Sequence, residues 1–270
     1  TTQGTYGYTP VYDVEESRWK EIGSHINSTI RISGEEKITD AFVLRSFATN
    51  AYMISVTKNG LVKKTAVREY EVSRNNKTMS NMKLLDGDAV VKTMVAYAYD
   101  EILIASKNGF VSRYPVSLIP ETSPRSKGVK AMNLVLDEIV SACISHGDAS
   151  QLIVFTDQCQ MKRIKLSDVD VTGRPTKGSM ICKKVKSKPY QIAHIALHDL
   201  NDELVIINEE TQKILAKDIS LMSKDATFSS PLHTTQDYYF LRTLAAVEQR
   251  ELPAIQEEKQ EFEEIELFED

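Results

Sequence analysis

Cysteine is scarce in this sequence of 270 residues, which contains only Cys143, Cys159 and Cys182. An odd number of cysteines without a CxxC pair excludes a fold built on disulfides. We interpret all three as free thiols in a reducing cytoplasm. The five histidines do not cluster with the cysteines at ligand-like spacing, so the sequence predicts no zinc site.

Long hydrophobic runs are also missing. Although 41% of the residues are hydrophobic, no apolar stretch reaches the roughly 18–20 residues that a membrane-spanning helix needs. The first ten residues lack the basic and apolar regions of a secretory signal peptide. These absences predict a cytoplasmic protein with a sizeable core and no membrane contact.

The negative charge is unevenly distributed. The chain has a formal net charge of −5, but residues 250–270 hold nine acidic side chains against Arg250 and Lys259. Residues 51–200 hold eight more Lys and Arg than Asp and Glu. This asymmetry suggests a basic surface for a polyanion together with an acidic appendage, although a solvated surface of mixed charge is the alternative.

A repeat of about fifty residues runs through the chain. An apolar run, a short polar turn and a second run occupy residues 51–64, recur at 101–113, and recur more loosely at 151–163 and 203–215. Asn59-Gly60 and Asn108-Gly109 predict tight hairpins, because both central residues of such a turn need positive φ. Met82, Met132 and Cys182 follow at equal intervals and are predicted to begin a third strand.

A further apolar run closes each repeat, so the unit has four strands. That period and strand count predict an all-β, propeller-like fold of about five four-stranded blades. The predicted units 1 to 5 span 1–47, 48–98, 99–148, 149–200 and 201–247, followed by an acidic, disordered tail over 248–270. Unit 1 begins inside a hairpin and unit 5 is eroded, as terminal repeats often are.

A basic box follows the hairpin in units 2, 3 and 4, at 74–78, 125–128 and 174–178. Its lysines, Lys77, Lys127 and Lys177, are fifty residues apart. A neighbouring Gly or small polar residue would let a polyanion approach the backbone. One box alone is typical of a solvated loop, but three in phase with the repeat predict a curved track of cations for duplex DNA.

Cations in the boxes, at the hairpin ends and on the following strands make up the predicted DNA-binding set. These residues are Lys63, Lys64, Arg68, Arg74, Lys77, Lys83, Arg113, Arg125, Lys127, Lys130, Lys162, Arg163, Arg174, Lys177, Lys183 and Lys184. Aromatic residues do not interleave with the boxes. This pattern favours contacts to the duplex backbone over base stacking on a single strand.

The stretches Arg18-Trp19-Lys20-Glu21-Ile22-Gly23, Lys63-Lys64 to Arg74, and Gly109 to Val116 with Lys127-Gly-Val-Lys130 carry a family resemblance. Over about residues 1–247 the chain resembles the β-pinwheel, the C-terminal domain of the A subunit of bacterial type IIA topoisomerases. It is most similar to the topoisomerase IV branch of Gram-positive type.

The resemblance implies a domain that binds and bends duplex DNA and helps topoisomerase IV select DNA crossings for relaxation, unlinking and chromosome segregation. It implies strand exchange between blades, a propeller that is broken or open, and room for a sixth blade in the intact domain. It also implies that the catalytic tyrosine, Mg²⁺ and ATP belong to the rest of an A2B2 holoenzyme, in which the partners are the B subunits together with a second A subunit. The domain itself would hold no cofactor or metal and act in the nucleoid.

Three alternatives remain open. The domain could wrap DNA as the gyrase A subunit does, but the gyrase box Gln-Arg-Arg-Gly-Gly-Lys-Gly is absent. It could be a protein-interaction propeller, which would bind DNA without steep salt dependence or not at all. An enzyme would need convergent acidic and histidine side chains, and Asp86-Gly-Asp88 is better explained as a turn than as a calcium site.

The acidic tail generates the first test. Its high charge predicts an unfolded, solubilising end, and a sharper hypothesis is that it competes with DNA for the basic surface. If so, deleting residues 252–270 raises duplex affinity in a titration. An unchanged affinity contradicts the competition.

Overall fold

The computed structural model describes the chain except at a set of short segments and the C-terminal end. These are residues 19–20, 74–76, 148–150, 183–188, 199, 202, 208–210, 230–238, 242–244, 248–249 and 251–270. The predicted tail, Trp19 and Lys20 therefore lie largely or wholly outside the described residues.

Short strands make up the regular structure. The first nine are β1 (Thr5–Tyr6), β2 (Phe42–Leu44), β3 (Tyr52–Thr57), β4 (Leu61–Ala66), β5 (Met79–Ser80), β6 (Val90–Ala96), β7 (Glu101–Ser106), β8 (Phe110–Pro115) and β9 (Val129–Lys130). The second nine are β10 (Ile139–Ser145), β11 (Gln151–Thr156), β12 (Met161–Lys165), β13 (Ser179–Met180), β14 (Ile192–Leu197), β15 (Glu203–Ile207), β16 (Thr211–Leu215), β17 (Tyr239–Leu241) and β18 (Ala245–Val247).

Six 3-10 turns accompany the strands, and the described part of the chain has no α-helix. The turns span Val11–Asp13, Ile26–Ser28, Val67–Tyr70, Val116–Leu118, Leu166–Asp168 and Ala216–Asp218. None of the described sheets closes on itself as a barrel. The predicted all-β, pinwheel class is confirmed.

The predicted hairpins are present, but the prediction of positive φ at both central residues is wrong, because Asn59 and Asn108 do not have positive φ. Strands β3–β4, β7–β8, β11–β12 and β15–β16 each pair antiparallel. Gly60 and Gly109 have φ of 94° and 100° at the turns, and Cys159 at the corresponding position has φ of 55°. The same left-handed turn therefore occurs with and without glycine, at a steric cost for the cysteine.

Three of the described sheets take their outermost strand from the next unit. The two four-stranded sheets have the orders β6-β3-β4-β9 and β10-β7-β8-β13, and β5 likewise pairs with β1. The strand exchange implied by the resemblance is thus observed. Units 4 and 5 contribute three-stranded sheets, β12-β11-β14 and β16-β15-β17, within the described residues.

The prediction that Met82, Met132 and Cys182 begin the third strand is wrong. Strands β5, β9 and β13 end two residues before these positions. All three side chains are instead buried, at 2%, 1% and 2% exposure. After two residues of pairing the chain turns inward, because an apolar side chain at this point is buried in the core between neighbouring units.

The cores join successive units. Ile54 of unit 2 packs in one cluster with Val116 of unit 3. Leu103 packs with Leu166, and Ile153 with Ala216, in the next two clusters. The residue that opens a 3-10 turn therefore covers the sheet of the preceding unit, and apolar burial of this kind is the main stabilising term between units.

The end of the chain returns to its start. Strand β18 pairs parallel with β2. Asn50 Nδ2 donates to the Arg250 carbonyl at 2.5 Å, and the Arg250 guanidinium lies 4.5 Å from the Tyr97 ring centre. These contacts connect unit 1 to unit 5 through β18, and unit 2 to Arg250, which follows unit 5. In the described residues, no helix has the length and apolar character needed to cross a bilayer.

Gly178 should be intolerant of any side chain. A Cβ there would lie 2.3 Å from the Val111 carbonyl oxygen, and its φ is +82°. We expect Gly178→Ala to lower the free energy of unfolding by about 2–4 kcal/mol, from left-handed strain and overpacking. Denaturant unfolding measures this. Gly173→Ala, whose Cβ meets nothing within 4 Å, is the matched control and should change stability little; equal losses in the two variants contradict the packing argument.

Candidate nucleic-acid interface

The predicted DNA-binding cations fall into distinct environments. Seven of them are exposed on the surface. They are Arg68, Lys77, Lys83, Arg125, Lys127, Lys130 and Lys177. Arg68 is the exception among these, because its guanidinium pairs with Glu121 at 3.4 Å. The other six are called the cationic rim below.

The rim is continuous across units 2 and 3 because backbone hydrogen bonds join their boxes. The Arg125 amide donates to the Asn81 carbonyl at 3.0 Å, and the Lys83 amide donates to the Ser126 carbonyl at 3.0 Å. The chain after the box of unit 2 therefore lies directly beside the box of unit 3. Lys83, Arg125 and Lys127 are brought together in this way.

Unit 4 joins unit 3 in a similar manner. The Asn133 amide donates to the Thr176 carbonyl at 2.8 Å. Arg174 spans the junction: its Nη1 donates to the Lys130 carbonyl at 2.7 Å and its Nε to the Leu118 carbonyl at 3.1 Å. Arg174, predicted as a DNA contact, thus uses two of its donors to hold the neighbouring box.

The glycines of the boxes have a packing role that the sequence interpretation did not include. A Cβ on Gly128 would lie 2.7 Å from the Val62 carbonyl oxygen, and Gly178 is tighter still. These residues let the box approach the outer strand of the preceding sheet. Approach of a polyanion to the backbone is therefore not needed to account for them.

Lys63 and Lys162, both in the predicted DNA-binding set, are buried. Their exposures are 1% and 0%. Lys63 Nζ donates to Thr65 Oγ1 and lies 5.9 Å from the Tyr70 ring centre. Lys162 Nζ donates to the carbonyls of Lys224 and Ala226 at 2.7 and 2.9 Å. Alternation along the hairpin strand turns both side chains into the protein.

Burial alters the protonation of these two lysines. Desolvation lowers the pKa of Lys63 to about 8, and it lowers the pKa of Lys162 to about 8 as well. No carboxylate forms an ion pair with Lys63 among the described side chains; its polar neighbours are hydroxyl and amide groups. The positive charge is therefore held at a cost in free energy.

Lys64, Arg113 and Arg163 are also largely withdrawn from solvent. Lys64 and Arg163 are 8% and 9% exposed, and the Arg113 side chain is 16% exposed. Arg113 forms an ion pair with Glu101 at 2.6 Å. Burial lowers the pKa of Lys64. These three predicted contacts face the next unit rather than the surface.

Arg74, Lys183 and Lys184 lie outside the described residues. Asn81 and Asn133, which join neighbouring boxes, were missed from the sequence. Asn81 precedes Met82 and Asn133 follows Met132, so the two asparagines occupy different positions of the repeat and no common pattern marks them. No group of three or more His, Cys, Asp or Glu residues in the described ranges is arranged to hold a metal ion.

Comparison with known proteins agrees with this architecture. A family model described as DNA gyrase C-terminal domain, beta-propeller, matches residues 1–45, 51–96, 100–146 and 150–199. Among curated proteins, the A subunit of DNA topoisomerase 4 from Staphylococcus epidermidis is 26% identical over 239 residues, covering 88% of this chain and 30% of that protein. The Bacillus subtilis protein of the same name is 28% identical over 213 residues, covering 79% and 26%.

Solved structures show the same fold. The C-terminal domain of DNA topoisomerase IV superposes with a TM-score of 0.80 and 29% identity, covering 86% of this chain and 72% of that one. A DNA gyrase A C-terminal domain gives a TM-score of 0.76 at 18% identity, covering 88% and 78%. The chain spans only about three tenths or less of the curated relatives' length.

The buried Lys63 makes stability depend on pH in a defined direction. Its folded pKa of about 8 lies below the unfolded value of 10.5. Above pH 8 the unfolded chain therefore binds more protons, and the contribution of Lys63 to stability rises with pH until the unfolded lysine also titrates. We expect the difference in unfolding free energy between wild type and Lys63→Met to shift in favour of wild type between pH 7 and 9.5.

Denaturant unfolding across that range measures the shift. The range from about pH 5 to 6.5 supplies the control, since Lys63 is protonated there in both the folded and the unfolded chain and the difference should stay constant. A Lys63→Met difference that is equally flat above pH 7 contradicts the buried, desolvated ammonium.

Proposed function

The chain belongs to the DNA gyrase C-terminal domain, beta-propeller family, and from this premise we propose that it binds and bends duplex DNA along its cationic rim. It does so as the C-terminal part of the A subunit of a topoisomerase IV. The observation that supports the proposal is the set of backbone hydrogen bonds that join the segment after one box to the box of the next unit, with exposed cations in each of three units.

The rim suits a polyanion that is recognised by its backbone. Its cations are Lys, whose ammonium acts as a point charge, with a single Arg at position 125. Lys177 also lies 4.3 Å from the Phe110 ring centre, which fixes the direction of its side chain. A row of phosphate contacts with no base readout gives affinity that depends on salt and tolerates any sequence.

Bending follows from the placement of the rim on successive sheets. Neighbouring sheets of a propeller are rotated against each other, so a duplex that contacts several boxes has to curve. The energy of bending is offset by the additional phosphate contacts that the curve permits. This property supports a role in selecting DNA crossings for strand passage, relaxation and chromosome segregation.

We further propose that this domain performs no catalysis. The tyrosine nucleophile, Mg²⁺ and the ATPase of the holoenzyme belong to the remainder of the A subunit, together with the B subunit. Assembly with the B subunits, like pairing with a second A subunit, occurs outside this domain. The work of the domain would take place in the cytoplasm, on the nucleoid.

DNA wrapping of the gyrase type is the nearer alternative, but the absent Gln-Arg-Arg-Gly-Gly-Lys-Gly box disfavours it. A protein-interaction role is supported by one observation. Val135 and Leu136 are 75% and 99% exposed, and Leu136 has φ of 49°, unusual for a leucine. This apolar pair lies outside the cationic rim, so both roles can be tested separately.

Salt titration of duplex binding tests the proposal. The logarithm of the affinity should fall linearly with the logarithm of salt concentration, and each lysine contacting phosphate should contribute about 0.9 to the slope. Changing Lys77, Lys127 and Lys177 together to Glu should abolish binding at moderate salt.

A variant with Lys37, Lys165 and Lys217 changed to Glu is the matched control, because it alters the net charge equally at exposed positions off the rim. This control should keep most of the wild-type affinity. Affinity that is insensitive to salt, or equal losses in the two triple variants, would count against the rim. Leu136→Ser should leave duplex binding unchanged.

A further inference from the structure

One position of the repeat donates a hydrogen bond to the following unit in units 1 to 4, whereas Lys213 at the same position of unit 5 pairs with Glu203 of its own unit at 2.9 Å. The β-ladder registers align Tyr8, Lys64 and Arg113, since Thr5, Leu61 and Phe110 occupy the same ladder position three residues earlier. Arg163 takes this position in unit 4, where Met161 bridges to Ser229. The residue type varies, but each carries a donor at the end of a long side chain.

The acceptor is equally constant in units 2 to 4. Lys64 Nζ donates to the Val116 carbonyl at 3.3 Å. Arg113 Nη1 donates to the Leu166 carbonyl at 2.9 Å, and Arg163 Nη2 to the Lys217 carbonyl at 3.4 Å. All three carbonyls belong to the first or second residue of the 3-10 turn in the next unit. In unit 1, the Tyr8 hydroxyl donates to the Val72 carbonyl instead.

The backbone of the same residues makes a second connection. The Lys64 carbonyl accepts from the Thr122 amide at 2.9 Å, the Arg113 carbonyl from Thr172 at 2.9 Å, and the Arg163 carbonyl from Met222 at 2.8 Å. In units 3 and 4 the residue that donates this bond, Thr122 or Thr172, lies shortly before the box. One residue holds both the 3-10 turn and the start of the box.

These cations are poorly placed to bind phosphate themselves. Lys64 and Arg163 are less than a tenth exposed and the Arg113 side chain is 16% exposed, so each would have to leave its carbonyl to reach the duplex. Arg113 is further neutralised by Glu101, to which both Nε and Nη2 bond. The exposed rim lysines carry no such constraint.

We propose that Lys64, Arg113 and Arg163 are positioning residues, which fix the angle between successive sheets and thereby set the bend of the bound duplex. This inference rests on the proposed DNA-binding function. These residues act on the rim indirectly, because they anchor the start of each box. The strand after the box is anchored separately by the amides of Ala131 and Ile181, which donate to the carbonyls of Gly60 and Gly109. Loss of the first anchor leaves each box held at one end.

Positioning and contact predict different changes in DNA binding. A lysine that contacts phosphate contributes to the salt slope whatever the shape of the duplex. A positioning residue leaves the slope unchanged on a duplex too short to span more than two boxes. On a longer duplex its loss permits a wider range of angles between sheets, so the average bend decreases.

Arg113→Met tests this, because it keeps the apolar stem and removes the donors. The double variant Arg113→Met with Glu101→Gln avoids an unpaired carboxylate, and Lys127→Met is the control with the same loss of charge on the rim. Fluorescence energy transfer between the ends of a long duplex reports the bend, and salt titration of a short duplex reports the slope.

We expect Lys127→Met to reduce the salt slope by about 0.9 with little loss of energy transfer on the long duplex. Both Arg113 variants should keep the slope and lose energy transfer, and Arg113→Lys, which retains one donor group, should recover part of it. A drop of about 0.9 in the slope for Arg113→Met assigns the residue to phosphate contact and overturns the proposal. An unchanged slope together with unchanged energy transfer overturns it as well.

Hydrogen exchange separates this inference from the proposed function. The Val169 amide, which donates to the Leu166 carbonyl in the 3-10 turn, should exchange faster in Arg113→Met than in Lys127→Met, with or without DNA. If the affinity of the wild type for duplex DNA does not fall steeply with salt, the proposed function fails. Equal exchange rates in Arg113→Met and Lys127→Met refute the inter-unit anchor, whatever the outcome of the DNA titration. Should Arg113→Met not fold, Lys64→Met removes a single hydrogen bond and permits the same measurements.

Discussion

Hydrogen bonds between the outer strand of one unit and the box of the next unit are the constraint on which the structure depends. A single unit of four short strands has too little core to be stable, and the exchanged strand ties its outer edge to its neighbour. The same exchange places each box over the preceding sheet. Charge in the loops becomes a continuous row only because the backbone connects the loops in this way.

Two kinds of cation share one period in this chain. Lys127 and its equivalents in the boxes remain in solvent, whereas Arg113 and its equivalents at the hairpin ends donate to carbonyls of the next unit. A repeat of charge is therefore partly a repeat of inter-unit packing. A basic side chain that recurs with the period of the fold can therefore serve either DNA binding or packing between units. Only its burial in the structure distinguishes the two roles.

The sequence was sufficient to predict the hairpins, the period and the exposed lysines, because tight turns and alternating runs are local features. It was insufficient for the third strand, where the position of Met82 was mistaken for a strand start although it enters the core between units. It also could not reveal that Lys63 is buried, since alternation makes one of Lys63 and Lys64 face each side. The acceptors of the Lys64 and Arg113 side chains lie 52 and 53 positions further along the chain, which no local pattern specifies.

The fifth unit shows what limits the length of the rim. At the position of Gly178 it carries Phe228, which is 8% exposed and lies 4.8 Å from the Lys162 ammonium. A Cβ at the glycine position collides with the outer strand, and within the described residues the corresponding pairing in this unit is a bridge between Met161 and Ser229. The aromatic ring covers the buried lysine. Since this unit also has Thr227 where the others have a box lysine, the cationic row ends where the close packing of the boxes ends.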